Sequence, residues 1–373
     1  MSFTALTNAR VFDGSAFVED KVVLIENQSV AGLLDTLPEN TEVIDCRGLL
    51  LAPGFMELQV YGGKGSLFTT EISPESIRKT YEEHLEGGTT HFQVTYHTGP
   101  LSGMLKAIEA CRTYRAEGGA GLLGLHLEGP YFSPAKKGAH ILKYIRKPTI
   151  AELQLLVDAA GDLPLFLTLA PEEADEEVLD WLLDSPIRLS AGHSNATYEQ
   201  AQHAFDKGIG LVTHLFNAMS PFGSREPGLL GATFDSHARA SIIVDGIHVN
   251  YASVRIAKEI MKERLFLITD AVTEDLRGEY VFRMNPQTAR FEDASGTLSG
   301  SNLKMMEAVA NCVRKVGIPM EEALRMASLY PAQAIRQEYH LGRVAPGFEA
   351  SLLLFTPAFE LKALYTNGHF RWV

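Results

Sequence analysis

Polar and metal-binding side chains recur at one kind of position along this chain, the residue that ends or just follows an apolar run. Gln59 and Tyr61 close the run that begins FMELQV, and His97 follows THFQVT. His126 and Glu128 sit in LLGLHLE, His193 follows IRLSAG, His214 ends IGLVTH, Asp245 and His248 follow ASIIV, and Asp270 falls in LFLITDA. Any one of the 12 histidines would more often be a satisfied core or surface group than a ligand. Their shared placement changes that reading. Two imidazoles and a carboxylate from different strands would converge at one end of a sheet, with an open coordination position for an activated water.

The elements needed to position them are legible as eight apolar runs, near residues 55, 90, 122, 165, 187, 209, 240 and 265. Amphipathic stretches such as SPESIRKTYEEHLEGG, TYEQAQHAFDKG and VRIAKEIMKER lie between most of them. Eight buried strands alternating with helices fit a (β/α)8 barrel of the TIM type better than an open doubly wound sheet, and no GxGxxG follows a strand. Active sites of such barrels lie at the carboxyl ends of the strands, where these side chains fall. Residues 1–52 read instead as short strands broken by DG, NQ and PEN turns, and residues 341–373 repeat that texture. The expected organisation is therefore an α/β barrel over 53–340 and a small β-sandwich assembled from 1–52 and 341–373. A hairpin around NPQT, between Glu279 and Thr297, is expected after the eighth strand.

Composition narrows the function classes. At 373 residues, 46% hydrophobic and 21% charged, the chain is too apolar for disorder. A net charge of −13 argues against wholesale binding to nucleic acid, so an anionic ligand would need a local basic pocket. Cys46, Cys111 and Cys312 are odd in number and widely spaced, which excludes a disulfide framework or a Cys-rich zinc module. No signal sequence opens the chain and no apolar run approaches the roughly 20 residues of a membrane span. The expectation is a cytoplasmic protein with no membrane partner.

Several residues admit two readings. Glu128 ends an apolar strand in HLEGPYF, where an unpartnered charge is costly, so a ligand role outweighs loop capping. His126 shares its face and reads as an extra ligand, or more simply as a hydrogen-bonded group behind the site. Asn217 serves equally as a substrate contact or a turn residue. Asp270 could shuttle a proton from water to a leaving group, or be one more ligand. The guanidinium of Arg225 suits a phosphate, with an ion pair to Glu226 as the alternative.

The ordered motifs HLEGPY, KKGAH, GHSNATY, THLFNAM, REPGLLGA, DGIHVNY, TDA and GTLSGS make the chain resemble the N-acetylglucosamine-6-phosphate deacetylases of the amidohydrolase superfamily, from about Pro53 to the C-terminus. That resemblance implies a hydrolase with one divalent metal per subunit on Glu128, His193 and His214, and with Asp270 as acid and base. Zinc heads the list of metals; iron, cobalt or manganese suit the same ligands. It implies that His140 stabilises the oxyanion, and that substrate contacts come from Gln59, Ala139, His140, Asn217, Ala218, Arg225, Asp245, Gly246, Ile247, His248, Leu298, Ser299 and Gly300. It further implies an amino-sugar phosphate substrate and a homodimer in which Arg225 and His248 reach the neighbouring subunit's site. Two departures stand out. Gln59-Val60-Tyr61 replaces the HxH common after strand one, and some deacetylases of the family have QxN there. The loop VTEDLRGEY after Asp270 and His97 in TYHTGP also depart from the family pattern. Other expectations are an amidohydrolase for a different N-acyl sugar phosphate or a cyclic amide, or a barrel scaffold without catalysis.

Overall fold

Eight parallel strands form one sheet in a computed structural model that describes residues 3–288, 290–293 and 296–373. They are β1 (Phe55–Val60), β2 (Thr89–His97), β3 (Leu122–Glu128), β4 (Leu165–Leu169), β5 (Arg188–Ala191), β6 (Leu211–Val212), β7 (Arg239–Ile242) and β8 (Leu265–Leu267). Their order in the sheet is their order in the chain. β1 and β2 are buried along their whole length, so the polar residues that alternate with apolar ones in them, such as Gln59, Gln93 and Thr95, are buried as well. The first and last strands meet beyond β8. Ala271 bridges Val60, the Asp270 amide donates to the Gln59 carbonyl at 3.1 Å, and the Tyr61 amide donates to the Ala271 carbonyl at 3.0 Å. The expected eight-stranded barrel is the one observed.

Helices follow the strands as the amphipathic stretches indicate: Pro74–Leu85, Leu101–Ala116, Ile150–Ala160, Glu176–Asp184, Tyr198–Lys207, Gly228–Phe234 and Tyr251–Met261. The fifth opens with a capping box, in which Thr197 accepts from the Gln200 amide and the Gln200 side chain accepts from the Thr197 amide. After β8 comes the expected hairpin, β9 (Arg283–Asn285) against β10 (Arg290–Glu292), with Met284 opposite Phe291. Ala289, Ala294 and Ser295 of the expected segment lie outside the described residues.

The chain divides into two compact units. One holds Leu58–Glu83 and Phe92–Leu303; the other holds the residues through Glu57, His84–His91 and Lys304–Val373. In the second unit the termini share a six-stranded sheet, where Leu352–Phe355 lies antiparallel to Leu50–Pro53 with Leu354 opposite Leu51. That unit also holds a four-stranded sheet of N-terminal strands and the helices Met305–Asn311, Met320–Ala327 and Leu329–Ala334. Its core, including Leu6, Val23, Ile25, Leu51, Leu354 and Tyr365, draws on both ends of the chain. All three cysteines are buried, and among the described residues none forms a disulfide. No helix among the described residues is long and apolar enough to cross a membrane.

Candidate active site

The carboxyl ends of the barrel strands converge on Glu128, the last residue of β3. Its Oε1 lies 3.1 Å from His214 Nε2 and 3.4 Å from His193 Nε2, while Oε2 lies 3.0 Å from His140 Nε2. All four side chains are buried. The two strand-end histidines reach inward through backbone turns. His193, His214 and Asp270 have φ of +48°, +33° and +54°, the left-handed region that non-glycine residues seldom adopt and that costs about 1–3 kcal/mol each. Such conformations persist where surrounding contacts over-determine them. Asp270, for instance, is held by its amide bond to Gln59 and by its carbonyl, which accepts from the Ser301 amide at 2.9 Å.

The partners of each ring assign its protons. Nδ1 of His193 faces the Lys136 carbonyl at 2.8 Å; a carbonyl only accepts, so Nδ1 carries the hydrogen and Nε2 presents a lone pair. His140 is the reverse, because the Thr98 amide donates to its Nδ1 at 3.3 Å, leaving Nε2–H as a donor aimed at Glu128. Nδ1 of His214 has no hydrogen-bond partner among the described residues, and its Nε2 stands 3.1 Å from Nε2 of His193. Nε2 of His193, Nε2 of His214 and Oε1 of Glu128 thus lie within 3.4 Å of one another, nitrogen and oxygen ligand types that suit a divalent cation. Ligand atoms of Glu128, His140 and His193 all lie within 4.8 Å of one another. Nε2–H of His140 has no lone pair to offer, whereas Nε2 of His193 does; Nε2 of His214 lies 3.1 Å from both Glu128 Oε1 and His193 Nε2, beside the same point.

Two buried carboxyls are pushed in opposite directions. Burial raises Glu128, but the imidazoles around it, His140 foremost, outweigh that and hold the group well below the usual carboxylate range. Asp270 is pushed up to about 7, first by burial and then by the Glu128 charge. One carboxylate stays ionised and the other is poised near neutrality, the division that acid–base chemistry needs. Burial also pushes His193 down to about 4, against the pull of Glu128. His214 moves up, because Glu128 and Asp270 outweigh its burial.

A cavity of about 190 Å3 opens above these groups. Its lining includes Glu128, Ala139, His140, His193, His214, Asn217, Ala218, His248, Asp270, Leu298, Ser299 and Gly300, all singled out in the sequence. Gly300 has φ +69°, and a Cβ there would sit 2.9 Å from the Asp270 carbonyl, so the GTLSGS turn needs glycine to come this close. Asp245 does not line the cavity. Its Oδ2 pairs with His248 Nδ1 at 2.6 Å and its Oδ1 accepts from the amides of Ile247 and His248, which orients that imidazole. Gly246 and Ile247 likewise stand outside the lining.

Gln59 is buried, and its Nε2 lies 2.7 Å from Glu128 Oε1 and 2.6 Å from Asp270 Oδ1, bridging the two carboxyls instead of lining the cavity. His126 uses both nitrogens, toward the Leu58 carbonyl at 3.0 Å and Thr168 Oγ1 at 2.7 Å, so it is a hydrogen-bonded core group. Arg225 is exposed and outside the lining. It makes no ion pair with Glu226, whose carboxylate accepts from the amides of Tyr198 and Gly228. His248 lines the cavity, paired with Asp245.

Phe282 and Val272 also line the cavity, and sequence reasoning missed them. The signal was the alternation in EYVFRM, which places Tyr280 and Phe282 on one face.

The family model for the amidohydrolase family matches residues 50–371. The chain belongs to the amidohydrolase family. This amidohydrolase is 36% identical over 380 residues to N-acetylglucosamine-6-phosphate deacetylase of Haemophilus influenzae, covering 98% of this chain and 99% of that one. It is 33% identical over 371 residues to N-acetylgalactosamine-6-phosphate deacetylase of Escherichia coli O157:H7, covering 96% and 97%. Among solved structures, the crystal structure of N-acetylglucosamine-6-phosphate deacetylase from Pasteurella multocida superimposes with a TM-score of 0.94 at 35% identity, covering both chains fully.

Proposed function

We propose that this amidohydrolase removes the acetyl group of N-acetyl-D-glucosamine 6-phosphate, yielding D-glucosamine 6-phosphate and acetate. The observation that carries the reading is the convergence of two buried carboxyls, Glu128 and Asp270, with His140, His193 and His214 in the lining of one cavity. The deacetylase relatives supply the substrate class.

Glu128, His193 and His214 would hold one divalent cation, zinc first, with iron, cobalt or manganese compatible with the same donors. When bound, such an ion supplies Lewis acidity to the carbonyl and acidifies water. The chain's own groups do the rest. Asp270 accepts the proton of the attacking water as oxygen bonds to the acetyl carbon. His140 Nε2–H donates to the carbonyl oxygen as negative charge develops there. Asp270 then returns the proton to the sugar nitrogen, the C–N bond breaks, and acetate leaves. Gln59 keeps Asp270 and Glu128 in register by its amide. Asn217, Ala218, His248 and the turn Leu298–Ser299–Gly300 hold the sugar. Arg225, exposed on its loop, meets the phosphate of a neighbouring chain's substrate, which makes the working unit a homodimer. The catalytic domain is the barrel of residues 53–340. Three buried cysteines that form no disulfide among the described residues accord with a reducing compartment, and the cytoplasm is the proposed one.

The test is release of acetate from N-acetylated sugars with and without a 6-phosphate. Rapid hydrolysis of the phosphorylated gluco sugar supports the reading; a chain that binds metal yet hydrolyses none of them refutes it. A second reading, the galacto epimer as preferred substrate, rests on the Escherichia coli relative, and the same screen separates the two.

A further inference from the structure

One side of the cavity is aromatic and continuous. The rings of Tyr61 and His97 stack at 4.0 Å between centroids, and His97 in turn lies 5.4 Å from Phe282. All three are buried and all three line the cavity. Behind them Tyr280 stacks on His97 at 4.6 Å, and its hydroxyl donates to the Thr98 carbonyl at 2.8 Å. That bond ties the segment leading into the hairpin to the end of β2. Nδ1 of His97 lies 2.9 Å from Thr69 Oγ1, so the central ring is held in plane by a hydrogen bond as well as by packing. The wall is fixed.

It stands beside the reacting groups. The Tyr61 hydroxyl donates to Glu128, and the His97 ring is 5.6 Å from that of His140. Elsewhere the lining carries hydrogen-bonding side chains, Asn217, His248 and Ser299, beside small or aliphatic ones such as Ala139, Ala218 and Leu298. On the deacetylase reading above, each part of the substrate must match the side chains it meets. An amide carbon placed among Glu128, His140 and Asp270 carries two substituents besides its oxygen. The sugar, with hydroxyls and a phosphate, requires the hydrogen-bonding residues, because unpaired polar groups against rings are costly. The acyl substituent, which has no polar atoms of its own, is left to face the rings.

We infer that Tyr61, His97 and Phe282 form the acyl wall of the site and restrict hydrolysis to short acyl groups. None of the three is fixed by the deacetylation chemistry itself, which needs only the carboxyls and imidazoles. They set which amide is cleaved.

The experiment compares kcat/KM for N-acetyl-, N-propionyl- and N-butyryl-glucosamine 6-phosphate on the unaltered chain, His97→Ala and Phe282→Leu. A methylene against a packed wall changes kcat/KM by about 10- to 200-fold. The unaltered chain is expected to lose that factor from acetyl to propionyl, and His97→Ala to recover at least tenfold of it. Phe282→Leu removes less volume and keeps an apolar side chain, so it carries the test if the alanine variant does not fold. Equal loss on all three substrates in both variants marks a purely structural role and overturns the wall, as does an unaltered chain that cleaves all three alike. An unaltered chain that cleaves none of them fails at the function itself, and the wall falls with it.

Discussion

Replacing Asp270 by asparagine isolates the proton transfer from everything else that holds the site. Asparagine keeps the shape and tolerates the left-handed φ of +54° better than most residues. Its Oδ1 can accept from Gln59 Nε2 as the carboxylate does at 2.6 Å, and the backbone bonds to Gln59 and Ser301 do not involve the side chain. What it loses is the capacity to take a proton. Loss of a positioned base lowers rates by about 10²- to 10⁴-fold, which is about 2.7–5.5 kcal/mol of barrier. The assay is acetate release at saturating substrate, with metal content matched between the variant and the unaltered chain. The expected result is unchanged metal and a kcat lower by that factor. A variant within a few-fold of the unaltered chain would refute the assignment and make His140 the next candidate.

The same substitution has an opposite effect on the stability of the metal-free protein. A carboxyl raised from 3.8 to about 7 in the folded state binds its proton more tightly folded than unfolded. Folding stability is therefore highest below the unfolded value and is lost as pH rises through about 7. The displacement, at about 1.4 kcal/mol per factor of ten, caps that loss at about 4 kcal/mol. Asparagine does not titrate, so metal-free Asp270→Asn is expected to melt higher than the unaltered chain at pH 8 and to lose most of that advantage at pH 4. A melting difference independent of pH would show that Asp270 is not held above its ordinary range.

Elemental analysis is expected to find one divalent ion per chain, and two at full activity would contradict the Glu128, His193 and His214 set. His193→Ala removes the lone pair that the Lys136 carbonyl leaves facing Glu128; metal and activity should fall together, and a metal-loaded, active variant would exclude it as a ligand. Arg225→Ala should lower kcat/KM for the phosphorylated sugar by about 10- to 150-fold, the value of a charge-assisted bond of about 1.5–3 kcal/mol, and leave the unphosphorylated sugar unchanged. An unaltered ratio between the two sugars would free Arg225 from the phosphate. Leu354→Ala, at a fully buried position shared by strands from both termini, should cost about 2–5 kcal/mol in chemical denaturation, and less than 1 kcal/mol would contradict that core.

The barrel was legible because strands buried on both faces leave apolar runs, and a charged or imidazole side chain that ends such a run has few places to go but the barrel mouth. Glu128, His193, His214 and Asp270 stood out on that ground, and all of them line one cavity. Residues whose role depends on partners far away in the chain were less legible. Gln59 reads as a cavity-facing amide until β1 meets the chain beyond β8, which sets it between two carboxyls 69 and 211 residues away. Asp245 reads as a substrate contact until its carboxylate is seen turned back on Ile247 and His248. The hairpin shows the limit most clearly. Period-two alternation puts Tyr280 and Phe282 on one face but says nothing about what that face meets. A bond from Tyr280 to Thr98, 182 residues earlier, together with the stack on His97, turns the face toward the site. The groups that perform chemistry are marked by the cost of burying them, and that cost can be read locally. The apolar groups that shape a substrate carry no such mark, so specificity emerges only when the chain has closed on itself.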